Sequence, residues 1–173
     1  MGGIFHLTCF FMKKAEFSFS YDVYETIEEL NEQDAILLNK AREVTKNAYA
    51  PYSKFYVGAI AKLNNGEFLE GTNQENASYP VGICAERALL SSAASLFPNV
   101  PIDTLAISYL NEKGDSNNPI SPCGMCRQAL LEYEGRVNQS IRIILSGQSG
   151  KVYIVEQAGM LLPLSFTSKD LLT

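Results

Sequence analysis

Between residues 31 and 51 the apolar positions recur at intervals of three and four: Leu37, Leu38, Ala41, Val44, Thr45 and Ala48. That spacing is one face of a 3.6-residue helix. Asn31 is placed to cap its start and Pro51 to stop it. Upstream the period is two: Phe17, Phe19, Tyr21 and Val23 alternate with mostly polar residues across 16–24, which predicts a strand added at a sheet edge. Downstream, 55–63 and 67–72 flank Asn64-Asn65-Gly66, a turn-rich tripeptide that joins two strands into a hairpin. Gly58, inside the first of them, points to another backbone passing close by.

The second half alternates. An apolar, Ala-, Leu- and Ser-rich run over 83–97, closed by Pro98, predicts a helix. A buried strand follows at 103–110, a polar loop at 111–121 and a helix at 123–134. Strands at 140–146 and 151–156 are separated by Gly147-Gln148-Ser149-Gly150, and 167–172 forms a last helical turn or two. Strands alternating with helices after an initial hairpin predict an α/β layered domain with a mixed sheet.

Composition narrows what this domain does. At 173 residues and 46% hydrophobic content the chain makes one domain with a substantial core. Fourteen Lys and Arg against nineteen Asp and Glu leave a net charge of −5, with the basic residues scattered. A polyanion such as nucleic acid finds no dock in that pattern. No run is long enough to span a bilayer. The apolar patch at 4–12 is followed by Lys13 and Lys14 and preceded by no charge, so it does not read as a signal peptide; residues left by cloning, or a start upstream of Met12, are the simplest accounts of it.

The candidate chemistry lies in Cys84-Ala85-Glu86-Arg87 and Pro122-Cys123-Gly124-Met125-Cys126. Four cysteines could form two disulfides, but a Cys-x-x-Cys pair with a further Cys beside a Glu favours a metal in a reducing compartment, hence the cytoplasm. Three thiolates leave one tetrahedral position open, the mark of a catalytic rather than a structural ion, and soft sulfur donors suit zinc. Cys9 and His6, the only histidine, are the remaining fourth-ligand candidates and sit in the unusual N-terminal segment. Both cysteine groups fall at predicted helix starts, where free N–H groups and the helix dipole favour thiolate. Glu86 lies two positions from Cys84, so helical spacing alone does not bring it to the metal.

The order C-A-E then P-C-G-M-C, together with G-T-N-Q-E-N-A-S-Y-P at 71–80, resembles the zinc-dependent cytidine deaminases of the three-cysteine, homotetrameric type. The resemblance runs from about Asn31 to the C-terminus, which sets 1–30 apart as an N-terminal extension and 31–173 as the deaminase domain. It implies a three-layer α/β/α fold on a mixed sheet of about five strands. It further implies one Zn²⁺ per subunit on Cys84, Cys123 and Cys126, with Glu86 as the proton shuttle and Arg87 hydrogen-bonded to the ligand sulfurs. Asn73 and Glu75 would hold the ribose, Phe55 would pack on the base, and backbone atoms of Ala85 and Ser121 would meet the pyrimidine edge. Tyr79 and Phe166 would reach a neighbouring subunit's site. The implied reaction is hydrolysis of cytidine and 2′-deoxycytidine to the uridine nucleosides and ammonia, in pyrimidine salvage.

Plainer readings stand beside these. Asn73 and Glu75 also suit loop residues capping a turn, and Phe55 and Phe166 suit a core. Arg127 and Gln128 suit packing on the last helix. The rival activities are deamination of a related compound such as blasticidin S, editing of nucleic acid, and a non-catalytic zinc module in which Glu86 only caps its helix.

Overall fold

Asn31 caps the first helix as predicted: its Oδ1 accepts from Asp34 N at 3.0 Å, closing the start of α1 (Glu32–Val44). Leu37, Leu38, Ala41 and Val44 then form one buried stripe. The structure, a computed structural model, describes residues 12–171, so Cys9 and His6 lie outside the described residues.

The stripe of α1 lies on a six-stranded sheet: β1 (Asp22–Tyr24), β2 (Phe55–Leu63), β3 (Phe68–Thr72), β4 (Ile102–Asn111), β5 (Arg142–Ser146) and β6 (Val152–Val155), in the order β1-β6-β5-β4-β2-β3. Every pairing is antiparallel except β4 with β5. That parallel pair requires a crossover, supplied by α3 (Gly124–Val137), while α2 (Ala85–Leu96) connects β3 to β4. Alternation along the central strands sorts the core into two layers. Ile60, Ala106 and Ile144 face α1. Their neighbours Ala59, Ala61, Leu105, Ile107, Ile143 and Leu145 face the opposite way, onto Leu89 of α2 and Leu130 of α3. The result is the expected α/β/α arrangement.

Two expectations are corrected. The sheet has six strands, not about five, because the N-terminal segment joins it. The strand anticipated over 16–24 pairs only at Asp22–Tyr24, against Ile154–Val152 of the four-residue β6. Gly58 does meet a backbone: a Cβ there would stand 2.3 Å from the Ala41 carbonyl oxygen, so α1 sits directly on β2.

Candidate active site

Cys84 and Cys123 are not inside the first turns of their helices; each is the N-cap residue, in extended backbone, of α2 and α3 respectively. Neither offers a capping oxygen, and the side chains instead point their sulfurs at one another. Cys84 Sγ lies 3.8 Å from Cys123 Sγ, and Cys123 Sγ lies 3.5 Å from that of Cys126, which is fully buried in the first turn of α3. All three sulfurs fall within 4.8 Å of one another, and among the described residues no further Cys, His, Asp or Glu joins the group.

Zinc at about 2.3 Å from tetrahedrally arranged sulfurs requires them about 3.8 Å apart. The donor set therefore fits zinc in both chemistry and spacing. The thiols are also prepared for it. A hydrogen bond from Cys126 holds the Cys84 thiol down, to about 6, against burial and the nearby Glu86 carboxylate. Cys126 is pushed the other way, first by that same hydrogen bond and then by burial. Of these two, Cys84 is the one held toward thiolate, in line with its place at the N-terminus of a helix.

Glu86 is 5% exposed, in the first turn of α2. Burial raises its pKa above the usual carboxylate range; its own backbone N–H and a hydrogen bond with Cys126 pull in the other direction. A raised carboxyl pKa brings the group closer to the pH at which a general acid–base works best.

Cys84, Cys123 and Glu86 line one cavity of about 590 Å³ whose wall also includes Phe55, Val57, Asn73, Glu75, Tyr79, Ala85 and Ser121, with Cys126 buried behind it. Among the described residues no Lys or Arg lines it. Asn73 is anchored at both ends of its amide to β2, accepting from Val57 N at 2.7 Å and donating to the Phe55 carbonyl at 2.9 Å. Glu75 accepts from the backbone of Tyr52 and Ser53, and its hydrogen bond with the Ser53 side chain leads the causes that hold its carboxyl below the ordinary range. Phe55 is fixed by stacking on Tyr109, centroids 4.8 Å apart. Tyr79 is 76% exposed and edge-on to Tyr52.

Two predicted residues stand apart. Phe166 does not line this cavity; it is 58% exposed, with its carbonyl accepting from Gln128 Nε2 at 2.9 Å. Among the described residues Arg87 makes no hydrogen bond to a sulfur. It lines a separate recess of about 270 Å³ between α2 and α3, beside Glu132 and Arg136. Its charge still helps lower the Cys84 pKa, as the least of the causes. Arg127, first read as packing, is tied to the metal end of α3 instead: Nε donates to the Pro122 carbonyl at 2.8 Å and Nη1 to that of Leu161 at 2.9 Å. Gln74, Asn76, Ile120 and Met125 also line the cavity. Their positions between or beside motif residues were the only signal in the sequence.

Comparison with known proteins agrees with this geometry. A sequence model described as the cytidine and deoxycytidylate deaminase zinc-binding region matches residues 31–140. The chain is 34% identical to a cytidine deaminase of Halalkalibacterium halodurans over 136 residues, covering 79% of this chain and 96% of that protein. It is 42% identical to a Mycoplasma pneumoniae cytidine deaminase over 95 residues, 55% of this chain and 68% of that one. Among solved structures, a cytidine deaminase from Burkholderia pseudomallei superposes with a TM-score of 0.66 at 34% identity, covering 79% of this chain and all of that one.

Proposed function

The chain belongs to the cytidine and deoxycytidylate deaminase family, and on that premise we propose that it hydrolyses cytidine and 2′-deoxycytidine to uridine and 2′-deoxyuridine, releasing ammonia, as a step of pyrimidine salvage. The observation that carries the reading is a cluster of three sulfurs, two of them on the wall of one cavity that also holds a buried carboxyl group.

Cys84, Cys123 and Cys126 would hold one Zn²⁺ per subunit and leave the fourth position to solvent. Zinc so bound supplies a Lewis acid that makes water a nucleophile near neutral pH. In that reaction Glu86 would take the first proton of the attacking water and pass it to ring N3. It would then take the second from the hydroxyl now on C4 and deliver it to the amine as the C4–N bond breaks, leaving a C4 carbonyl and ammonia. Burial suits Glu86 to this work, because the group must hold a proton and give it up within one turnover. Arg87 acts on the sulfurs through space, drawing charge off them without a hydrogen bond.

The substrate is read from the rest of the cavity. Among the described residues the wall has no Lys or Arg and does carry the Glu75 carboxylate, which suits an uncharged nucleoside and disfavours a phosphate. Asn73 and Glu75 serve the sugar hydroxyls. Their backbone anchors fix their positions, and a partner lacking those hydroxyls leaves them unpaired. Phe55 packs on the base, and Ala85 and Ser121 present backbone atoms to its edge. The exposure of Tyr79 and Phe166 supports their serving neighbouring subunits of a homotetramer. Residues 1–30 are read as an extension of the domain at 31–173, and the cytoplasm as its compartment. That assignment is supported by three closely spaced free thiols. Among the described residues no helix is long and apolar enough to cross a membrane.

The test follows the ultraviolet loss of cytidine with the parent protein, Glu86→Ala and a chelated sample. Activity in the first alone is expected. Turnover by Glu86→Ala at the parental rate would remove the proton shuttle, and retained zinc without turnover in the parent would favour a structural zinc module. Blasticidin S and a cytosine oligonucleotide, run in parallel, are expected to be poor substrates.

A further inference from the structure

The loop between β4 and α3 delivers Ile120 and Ser121 to the cavity wall and Cys123 to the sulfur cluster, yet it contains no helix or strand of its own. Its conformation must come from what it rests on. One support is the turn at 147–150. Backbone N–H groups of Gln148 and Ser149 both donate to the Ser116 carbonyl, at 2.6 and 3.3 Å. A Cβ on Gly147 would stand 2.1 Å from that carbonyl oxygen, and one on Gly150 would stand 2.1 Å from the carbonyl oxygen of Asn117. The loop backbone is thus seated in a groove that exists only because two side chains are missing.

The groove itself cannot yield easily. The Gly147 carbonyl accepts from the buried Ser108 Oγ at 3.1 Å and from Arg42 Nε at 3.0 Å, which pins it to β4 and α1, and Gln148 Nε2 donates to the Tyr109 carbonyl at 3.1 Å. At its other end the loop is tied to the strand that carries Phe55: Glu112 N donates to the Lys54 carbonyl at 3.0 Å and Lys113 Nζ to that of Tyr52 at 3.1 Å. We propose that the turn at 147–150 is the seat that positions the β4–α3 loop, and that Gly147 and Gly150, remote from the chemistry, are positioning residues for the substrate wall at Ile120 and Ser121. Gly150 needs to be glycine on two counts, since its φ of +77° is also left-handed. Gly147 needs it only for the close approach. Alanine at 147 therefore tests the seat without backbone strain.

The kinetic arm of the test rests on the deaminase reading; the exchange arm does not. Gly147→Ala in the full chain is compared with the parent and with Gly135→Ala, a helical glycine with open space around its Cβ position. The measurements are zinc per chain, kcat and KM for cytidine, and amide hydrogen exchange. For Gly147→Ala we expect exchange to speed up at least tenfold at Gln148 and Ser149 and across 112–121. We also expect kcat/KM to fall at least tenfold per zinc-loaded molecule, while exchange in α1 and β4 stays parental. Gly135→Ala should match the parent throughout. Ser116→Ala, which removes only the 2.8 Å bond from Asn111 N to Ser116 Oγ, is a milder second variant should Gly147→Ala not fold; it is expected to lose about threefold in kcat/KM with the same localised exchange. Parental exchange and kinetics in folded Gly147→Ala, or a rise in exchange spread evenly over the chain, would overturn the seat. A parent that turns over no cytidine sinks the deaminase reading instead, and the exchange arm then decides the seat alone.

Discussion

Replacing Glu134 is expected to cost this protein a large share of its stability without touching the cavity. Glu134 sits near the end of α3, 6% exposed, and its carboxylate accepts three backbone N–H groups: Ile141 at 2.7 Å and Ala158 at 3.0 Å on Oε1, and Gly159 at 3.0 Å on Oε2. One side chain thereby joins the end of α3 to the entry of β5 and to the short 3-10 helix Ala158–Leu161, whose Leu161 carbonyl in turn takes the Arg127 guanidinium. Alanine leaves the Ile141 and Gly159 N–H groups without that acceptor, while Ala158 N keeps the Ile141 carbonyl at 2.9 Å. At about 1–3 kcal/mol for each of these two donors, less what water recovers at the partly accessible Gly159, the loss comes to about 2–4 kcal/mol. That is a large fraction of the 5 to 15 kcal/mol, roughly, by which domains of this size are stable. Glutamine should lose less, about 1–3 kcal/mol, because its one carbonyl can still serve Ile141 and Ala158 while its amide faces the Gly159 N–H. Urea unfolding of the three proteins should rank them parent, Gln, Ala, with equal m-values. An Ala variant within about 1 kcal/mol of the parent would show that these N–H groups find water, and would refute the accounting.

Further outcomes follow from the same structure. Burial raises the Glu134 pKa in the folded state, outweighing the three N–H bonds, so the stability this group contributes is full below its unfolded value, roughly 4.3, and is lost as pH rises through the folded value. The stability gap between parent and Glu134→Gln should therefore widen between pH 7 and pH 4 in matched urea melts. Asp34→Asn should destabilise by about 2–3 kcal/mol, because it breaks the two-pronged contact with Arg142 at 2.7 and 2.8 Å. That is below the cost for a fully buried pair, since Arg142 is a quarter exposed and keeps Glu156. With no cation lining the cavity, deoxycytidine 5′-monophosphate should show a kcat/KM at least 100-fold below that of 2′-deoxycytidine in the same spectrophotometric assay.

Much of this was legible in the chain because local signals and tertiary demands coincide. The stripe Leu37, Leu38, Ala41 and Val44 predicted α1, and Asn31 its cap, since both are decided within a few residues. Strand length is not so decided. The alternation of 16–24 promised a long edge strand, but pairing depends on how much of β6 is there to meet it. The helix starts were set two residues early at α2 and one at α3, because Ile83 and Cys84 continue the apolar run and a cysteine carries no cap signal. In the site, sulfurs and carboxyl group could be named from spacing and resemblance, whereas the orientation of Arg87 depends on the space between α2 and α3, which no local pattern encodes. Glu134 had a signal that was passed over: it shares a face with Leu130, Tyr133 and Val137, and a charged residue on an apolar stripe has to be answered by something in the core.

The claim under all of this is that the metal keeps one position free of protein. X-ray absorption at the zinc edge of the zinc-loaded full chain tests it directly. Three sulfur scatterers at about 2.3 Å and one light oxygen or nitrogen scatterer near 2.0 Å is the result expected. Four sulfurs would mean that the chain closes the site itself, and would contradict the account.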